Sequence, residues 1–423
     1  MRFQTQVRRT ARRVRTRGAV VEVAFDEGRL LAAGPTLRIR EIEFELMSGS
    51  ASAMLALAER WRKRFGLIYD PRSKAERGDR LAQGSPSPPV RKAARPDYSD
   101  EATAVEAFGI VLDECIAQIT RNAVGLVEGE SAQRVEHVHQ LRVGIRRLRS
   151  ALRSFEGWAP SPAAELVDGL RSLFATLGMS RDSDVLDSGV AAELVRAGAP
   201  SLTLSVGAAG QDPVDAARAA STQRMFLAWI AWRAALGEAA ATPVDAGMGE
   251  SQGEQPSAAE AAAPAEAATH QSGVQGPDEV AHAAPAAAPA RDDAPTFHGN
   301  VRRRVRRWHA RIVADWKAFD VLDEADLHAL RKRIKRQRYA VEFFAPLLRR
   351  RKLERYLNAL ASIQHRMGEL NDLFVARAQY QPQVAADPVA WFALGWLAAG
   401  IAELRALAKP ELGRLAQVDP PSI

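Results

Sequence analysis

Two stretches of this chain carry a histidine followed by cations at helical spacing, VHQLRVGIRRLRSALRSF from Val138 and LHALRKRIKRQRYAVEFF from Leu327. The histidines lie 189 residues apart, so the pattern marks a diverged internal duplication. From His139 the steps +3, +7, +10 and +14 reach Arg142, Arg146, Arg149 and Arg153; from His328 they reach Arg331, Lys335, Arg338 and Glu342. At ~100° per residue these offsets stay within an arc of roughly 80°. Leu141, Ile145, Leu148, Leu152 and Phe155 cluster on the opposite side, as do Leu330, Ile334, Val341, Phe344 and Leu348 in the second copy. Each copy therefore predicts one amphipathic helix with a packed face and a cationic stripe.

A solvated helix face normally mixes signs, because opposite charges at i and i+4 support each other while like charges repel by a few tenths of a kcal/mol per pair. The first copy has no acid between Gln140 and Phe155. A plain solvated face is the bland alternative; a repulsion accepted twice at matching positions calls for an anionic partner. Arginine suits a bidentate grip on phosphate oxygens, and a histidine at the head of the stripe can donate from either ring nitrogen. Phosphate or polyphosphate is the guest this chemistry fits. The candidate anion contacts are His139, Arg142, Arg146, Arg147, Arg149 and Arg153 with His328, Arg331, Lys332, Lys335 and Arg338.

These segments resemble the CHAD domain, the conserved-histidine α-helical domain, whose halves each carry a His-x-x-Arg helix. The likeness continues in LGMSRDSDVL, with Arg181, Asp182 and Asp184, and in MGELNDLFVA, with Asn371 and Asp372. His139 to Asp182 spans 43 residues and His328 to Asp372 spans 44, so both halves keep one internal layout. The resemblance implies two pseudo-symmetric antiparallel four-helix bundles. It also implies a pocket, lined by the basic helices, that binds inorganic polyphosphate. The expected role is non-catalytic anchoring or scaffolding, as at polyphosphate granules, with no cofactor required.

The N-terminal region follows a different period. In VVEVAF, Glu22, Ala24 and Asp26 alternate with Val21, Val23 and Phe25; in EIEFEL, Glu41, Glu43 and Glu45 alternate with Ile42, Phe44 and Leu46. Alternation of period two predicts strands, and Asp26 to Gly28 reads as a hairpin turn. Carboxylates aligned on one strand face suit either a polar-lined groove or an ordinary solvent-facing sheet. FQTQVRRTARRVR, VEVAFDEGRLLAAG, REIEFELMSG and SKAERG resemble the C-terminal half of a CYTH domain, the triphosphate-tunnel fold. The resemblance implies a partial antiparallel β-barrel in which Arg9 and Lys74 are vestigial triphosphate contacts and Glu41 and Glu43 face Mg2+ or Mn2+. The family's Glu-x-Glu-x-Lys strand belongs near the start of that domain and is absent, so the chain resembles a CYTH–CHAD fusion truncated at its front. Metal-dependent triphosphate hydrolysis by a completed barrel is the alternative function.

Composition accommodates this α+β, mainly α architecture. With 423 residues, two or more units are expected. The single Cys115 excludes a disulfide framework and shares a helical face with Val105, Phe108, Leu112 and Ile119, which predicts a buried apolar thiol. The charged N-terminus lacks a signal-peptide core, and Val389 to Ala402, at 14 residues, is the longest uncharged apolar run. A bilayer crossing needs ~20, so a cytoplasmic protein without membrane contact is expected. Ala239 to Pro295 holds 20 Ala, 7 Pro and 9 acids against one Arg and predicts a disordered insert. Removing its charge of −8 from the formal +7 leaves the rest at +15, so the folded part is markedly basic. A basic surface attracts nucleic acid too. The stripes, however, lack the stacking aromatics of single-strand binders, Tyr339 being the nearest. Oligomeric state stays open, a homo-oligomer included.

The elements that must position these residues are read as follows. A partial CYTH domain spans 1–85 with a helix from Ala53 to Phe65, and SPSPPVRKAARP marks a linker over 86–97. A CHAD domain follows over 98–410, divided into halves 98–238 and 296–410 by the insert, with a tail over 411–423. Helices are expected at Glu101–Val127, Val135–Phe155, Ala163–Leu177, Asp182–Arg196 and Pro213–Glu238. They resume at Phe297–Ala318, Glu324–Leu348, Lys352–Glu369, Asp372–Gln379 and Val389–Leu407.

Overall fold

The computed structural model describes residues 2–185, 190–199, 211–241, 296–385 and 387–422, the side chains of 179–185, 191 and 239–241 excepted. Three long strands come first, β1 (Phe3–Thr16), β2 (Ala19–Ala32) and β3 (Thr36–Gly49), in an antiparallel sheet ordered β1-β2-β3. The chain turns at Gly18 and Gly34, whose φ values of 100° and 111° are open to glycine without a Cβ penalty. Asp26 to Gly28 is therefore not the turn expected from its composition. It lies inside the central strand, Asp26 pairing with Arg9 on one side and Glu41 on the other. The polar trio is tolerated there because Asp26 finds cationic partners.

Both faces of the sheet are covered. Helix α1 (Ala51–Phe65), capped by the Ser50 hydroxyl accepting from the Ala53 N–H at 3.1 Å, packs Leu57, Met54 and Trp61 on Val21, Val23 and Phe44. Helix α2 (Lys74–Ala82), capped by Ser73, lays Leu81 on Leu30 and Ile39 of the other face. This small module docks on the helical part through α1, whose Ala51 N–H donates to Glu238 at 2.8 Å, and through Glu76 to Arg121.

The helical part comprises α3 (Ala104–Glu128), α4 (Arg134–Ser154), α5 (Ala164–Val185), α6 (Ala191–Arg196), α7 (Pro213–Arg218), α8 (Ala220–Ala241), α9 (Phe297–Lys317), α10 (Glu324–Phe343), α11 (Arg350–Tyr380) and α12 (Ala390–Ala416). Helices α3, α4, α5 and α8 each pack on the next and close a ring; α9, α10, α11 and α12 do the same. These rings are the two four-helix bundles. They join where α4 meets α10, and one apolar core runs through both. Phe155 and Phe344 each stand 16 residues after their stripe histidine, and their ring centroids lie 5.1 Å apart. Pseudo-symmetric residues thus touch at the junction.

Several boundaries differ from expectation. Helix α11 runs unbroken through Asn371 and Asp372, because Leu370, Leu373 and Phe374 continue its buried face. Strand β1, part of the barrel resemblance, shows no apolar alternation because it is an edge strand exposed along most of its length. Helix α8 extends to Ala241, and the remainder of the expected insert lies outside the described residues. Cys115 is fully buried, which pushes its thiol up to about 12. Helix α12 is, among the described residues, the one helix long and apolar enough to cross a membrane by length and composition. Here it forms a side of the second bundle, with Leu397, Ile401 and Leu412 in the core.

Candidate functional site

The two stripe helices present their cations to one open cleft of about 1300 Å³ between the bundles. Arg142, Arg146, Arg149 and Arg153 of α4 line it together with Arg331, Lys335 and Arg338 of α10, and His139, His328, Arg147 and Lys332 border the same space. Every residue of the expected anion-binding set thus lines one cavity, Arg147 as part of its wall. Arg95, Arg171, Arg336 and His365 also line it. Twelve Lys and Arg side chains meet four carboxylates there, Glu156, Glu342, Glu369 and Asp372.

Local packing fixes the orientation of several of these groups. Asp323 caps α10 by accepting from the Asp326 N–H at 2.8 Å, which starts the helix just before Leu327 buries and His328 emerges. Asn371 of α11 bonds the His328 Nδ1 at 2.9 Å; with the Asn371 Oδ1 accepting, Nδ1 is the protonated nitrogen and Nε2 is directed elsewhere. The matching positions of the first half, Arg181, Asp182 and Asp184, have side chains outside the described residues. Arg142 lies over the Phe174 ring at 4.6 Å and donates to the Leu177 carbonyl at 2.8 Å. Gly178 makes that possible, since a Cβ there would stand 3.0 Å from the Arg142 guanidinium. Arg338 pairs with Glu342 at 2.9 Å.

Arg147 differs from its neighbours. At +8 from His139 it lies beyond the stripe's arc, and only 1 % of it is exposed. Its guanidinium donates to Gln118 at 2.9 Å and to the Ala94 carbonyl at 2.7 Å, tying α4 to α3 and to the segment 86–97. That segment contains no helix or strand and is pinned along its course, by the Arg91–Asn122 backbone bonds and by Arg95 to Glu354 of the second bundle. Arg147 thus reaches the cleft as part of its wall.

Among the described residues Arg146, Arg149, Arg153, Lys332 and Arg336 form no ion pair. Burial pulls the Arg331 guanidinium below its ordinary value, opposed by Asp372 and aided by Arg146. Burial likewise lowers Arg149, with Arg171 and Arg153 adding to the effect, and Arg336, with Arg153, Arg333 and Arg311. Arginine keeps its proton under such pressure, so the crowding persists as stored repulsion that an anion would relieve. The buried Nε atoms of Arg146 and Arg331 have no hydrogen-bond partner.

The sheet arranges its charges in the opposite way. Asp26, Glu41 and Glu43 gather their carboxylates within 4.8 Å, a spacing that could hold a metal ion. Lys74 already occupies the middle of the trio, its Nζ 2.6 Å from Asp26 and 2.7 Å from Glu41 and also in contact with Glu43. Arg9 adds a two-pronged bond to Asp26 at 2.8 and 2.7 Å and a contact to Glu43, and Arg77 closes on Glu41. Hydrogen bonding from Arg9, against the cost of burial and with help from Lys74, holds the Asp26 carboxyl down at about 2. Three cations thus close three carboxylates, and with Lys74 seated there the residues do not fit Mg2+ or Mn2+. Arg9 and Lys74, the expected triphosphate contacts, spend their donors on these acids.

The family model described as the CHAD domain matches residues 110–381. Among solved structures, the crystal structure of the CHAD domain from the plant Ricinus communis is similar to this chain at 26% sequence identity with a TM-score of 0.53. The likeness covers 79% of this chain and 99% of that one. The three-stranded sheet is consistent with part of a CYTH-like barrel.

Proposed function

The chain belongs to the CHAD domain family, and from the chemistry of its cleft we propose that it binds inorganic polyphosphate there in an anchoring or scaffolding role, as at polyphosphate granules. One observation carries this reading: pseudo-symmetric helices place twelve Lys and Arg side chains against four carboxylates in a single open cleft, and among the described residues Arg146, Arg149, Arg153, Lys332 and Arg336 form no ion pair. A linear polyanion satisfies many such donors at once, and each charge-assisted bond to a phosphate oxygen is shorter and stronger than a neutral one. The open shape admits a chain that enters and leaves, where a single phosphate would engage few of the cations. Arg146, Arg149, Arg331 and Lys335 are the contacts we assign first, with His139 and His328 at the heads of the stripes.

Single-stranded nucleic acid is a poorer guest. Its bases seek exposed ring faces, but of the aromatics in the lining Phe174 lies beneath Arg142 and Tyr339 is buried. The test is calorimetric titration of the full chain with long-chain polyphosphate, with RNA as competitor. Polyphosphate should bind with an affinity that falls steeply with salt, as counterion release requires, and RNA should displace it only in large excess. Equal affinity for the two polymers would remove the assignment.

A further inference from the structure

The sheet leaves two strand edges open, and they differ in charge. On β3 the signs are mixed, with Arg38 and Arg40 followed by Glu41, Glu43 and Glu45. At β1 one sign stands alone, since residues 2–17 hold seven arginines and no acid. Arg9 is closed on Asp26 and Glu43. Arg8, Arg12, Arg13 and Arg15 are exposed, and among the described residues they form no ion pair, although Glu27 and Glu22 stand opposite Arg8 and Arg13 in the register. Successive side chains of a strand point to opposite faces. Val14 packs with Val21, Val23 and Leu57, which puts Arg8 and Arg12 on the face of α1; Val7 packs with Leu30 and Ile39, which puts Arg13 and Arg15 on the face of α2. The open edge therefore runs between two rows of cations.

An edge strand is a template for any extended chain, and the charges along it decide which chain pairs. Seven arginines reject a second β1, because like charges directly opposite one another destabilise a strand pair. The β3 strand of a second copy fits poorly as well, since it brings Arg38 and Arg40 to the same edge and its Glu41 and Glu43 are already held by Lys74 and Arg77. We propose that the β1 edge docks an extended acidic peptide of another protein, which joins the sheet as a fourth strand antiparallel to β1. Main-chain hydrogen bonds supply the affinity and the side-chain register supplies the selectivity. Read antiparallel, carboxylates opposite Arg15, Arg13, Arg12 and Arg8 fall at the first, third, fourth and eighth positions of an eight-residue segment, with an apolar second residue beside Val14. The site is independent of the cleft, because a polyphosphate chain has no main-chain donors to pair with a strand.

The experiment titrates the full protein into a labelled eight-residue peptide with glutamate at positions one, three, four and eight, valine at two and threonine elsewhere, read by fluorescence anisotropy. The same residues in reversed order and a fully N-methylated form serve as controls, the first testing register and the second the main-chain bonds at unchanged charge. The parent should bind the first peptide and slow the amide exchange of β1, and each control should bind roughly tenfold more weakly or not at all. Arg12→Gln with Arg13→Gln should weaken binding roughly tenfold, as expected for two charge contacts at the strong end of the exposed range. Both residues are exposed, so the fold should be undisturbed. Arg146→Gln should leave binding within about twofold of the parent. No binding would make the arginines a guard against self-pairing, and equal binding of all three peptides would reduce the edge to diffuse attraction; either refutes the site. Loss of binding in Arg146→Gln would move the peptide to the cleft. Binding seen only after removal of residues 245–290 would give the edge to that acid-rich stretch, and β1 amides protected in a concentration-dependent dimer would give it to a second copy. Each of these three outcomes overturns the proposal.

Discussion

The sheet and the cleft hold equally dense clusters of cations and put them to opposite uses. On the sheet Lys74, Arg9 and Arg77 interleave with Asp26, Glu41 and Glu43 until each charge has a partner. In the cleft Arg146, Arg149, Arg153 and Arg336 stand among further cations, and burial adds to the strain on Arg149, Arg331 and Arg336. A closed cluster stabilises the fold and has nothing left to offer a ligand. An open cluster costs stability and can recover it only from an anion. The density of basic residues therefore does not identify a binding site; the excess of cations over the carboxylates beside them does.

The largest effect should come from opening the closed cluster. Lys74→Met leaves Asp26, with no exposed surface, beside two further carboxylates, and losing one partner of a buried ionic group costs about 3 kcal/mol or more. Urea unfolding should show that loss, and amide hydrogen exchange should localise it to β2. A change below about 1 kcal/mol would mean that water reaches these carboxylates as easily as it reaches surface pairs.

The same operation in the cleft should have the reverse sign. Replacing Arg146 and Arg331 together by Gln removes two like charges, so thermal stability should hold steady or rise by a few tenths of a kcal/mol. Polyphosphate affinity should fall on the order of a hundredfold, from two charge-assisted contacts at the lower end of their usual range. A variant that loses stability and binding together would show that these arginines serve the fold.

Acid sharpens the comparison further. Asp26 is held below its ordinary carboxylate value of 3.8, at about 2, so the stability it contributes is complete above the ordinary value and is lost as pH falls towards the lower one. The contribution is on the order of 1–2 kcal/mol, allowing for solvent around Arg9. Denaturation midpoints between pH 4 and pH 2 should fall in the parent. In Asp26→Asn that part of the slope should vanish. An unchanged slope would place the acid sensitivity elsewhere.

The division between open and closed clusters was only half legible in the sequence. The stripe helices and their shared cleft follow from period and duplication, because a helix projects its residues at fixed angles and an acid-free stripe advertises itself. The sheet acids were legible as a line of carboxylates, but their neutralisation was not: Lys74 and Arg77 arrive from a helix more than thirty residues later in the chain, which no strand pattern encodes. Arg147 appeared to belong to the stripe on composition, and its angular offset was the one available hint that it faces α3 instead. Arg336 was invisible as a site residue for a related reason: it packs on Trp308 of α9 while lining the cleft, and one helix's spacing does not reveal its neighbour's face.

The most direct test of the central claim sets the open cluster against charge alone. Arg146→Ala with Lys335→Ala removes two cleft cations; Arg60→Ala with Arg414→Ala removes two exposed cations from elsewhere, with the same change in net charge. Long-chain polyphosphate titrated into both at one ionic strength should bind the first at least thirtyfold more weakly than the parent, at about 1 kcal/mol or more per lost contact, and the second nearly as tightly as the parent. Equal losses in the two would contradict the claim, because binding would then follow the total charge of the protein and not the cleft.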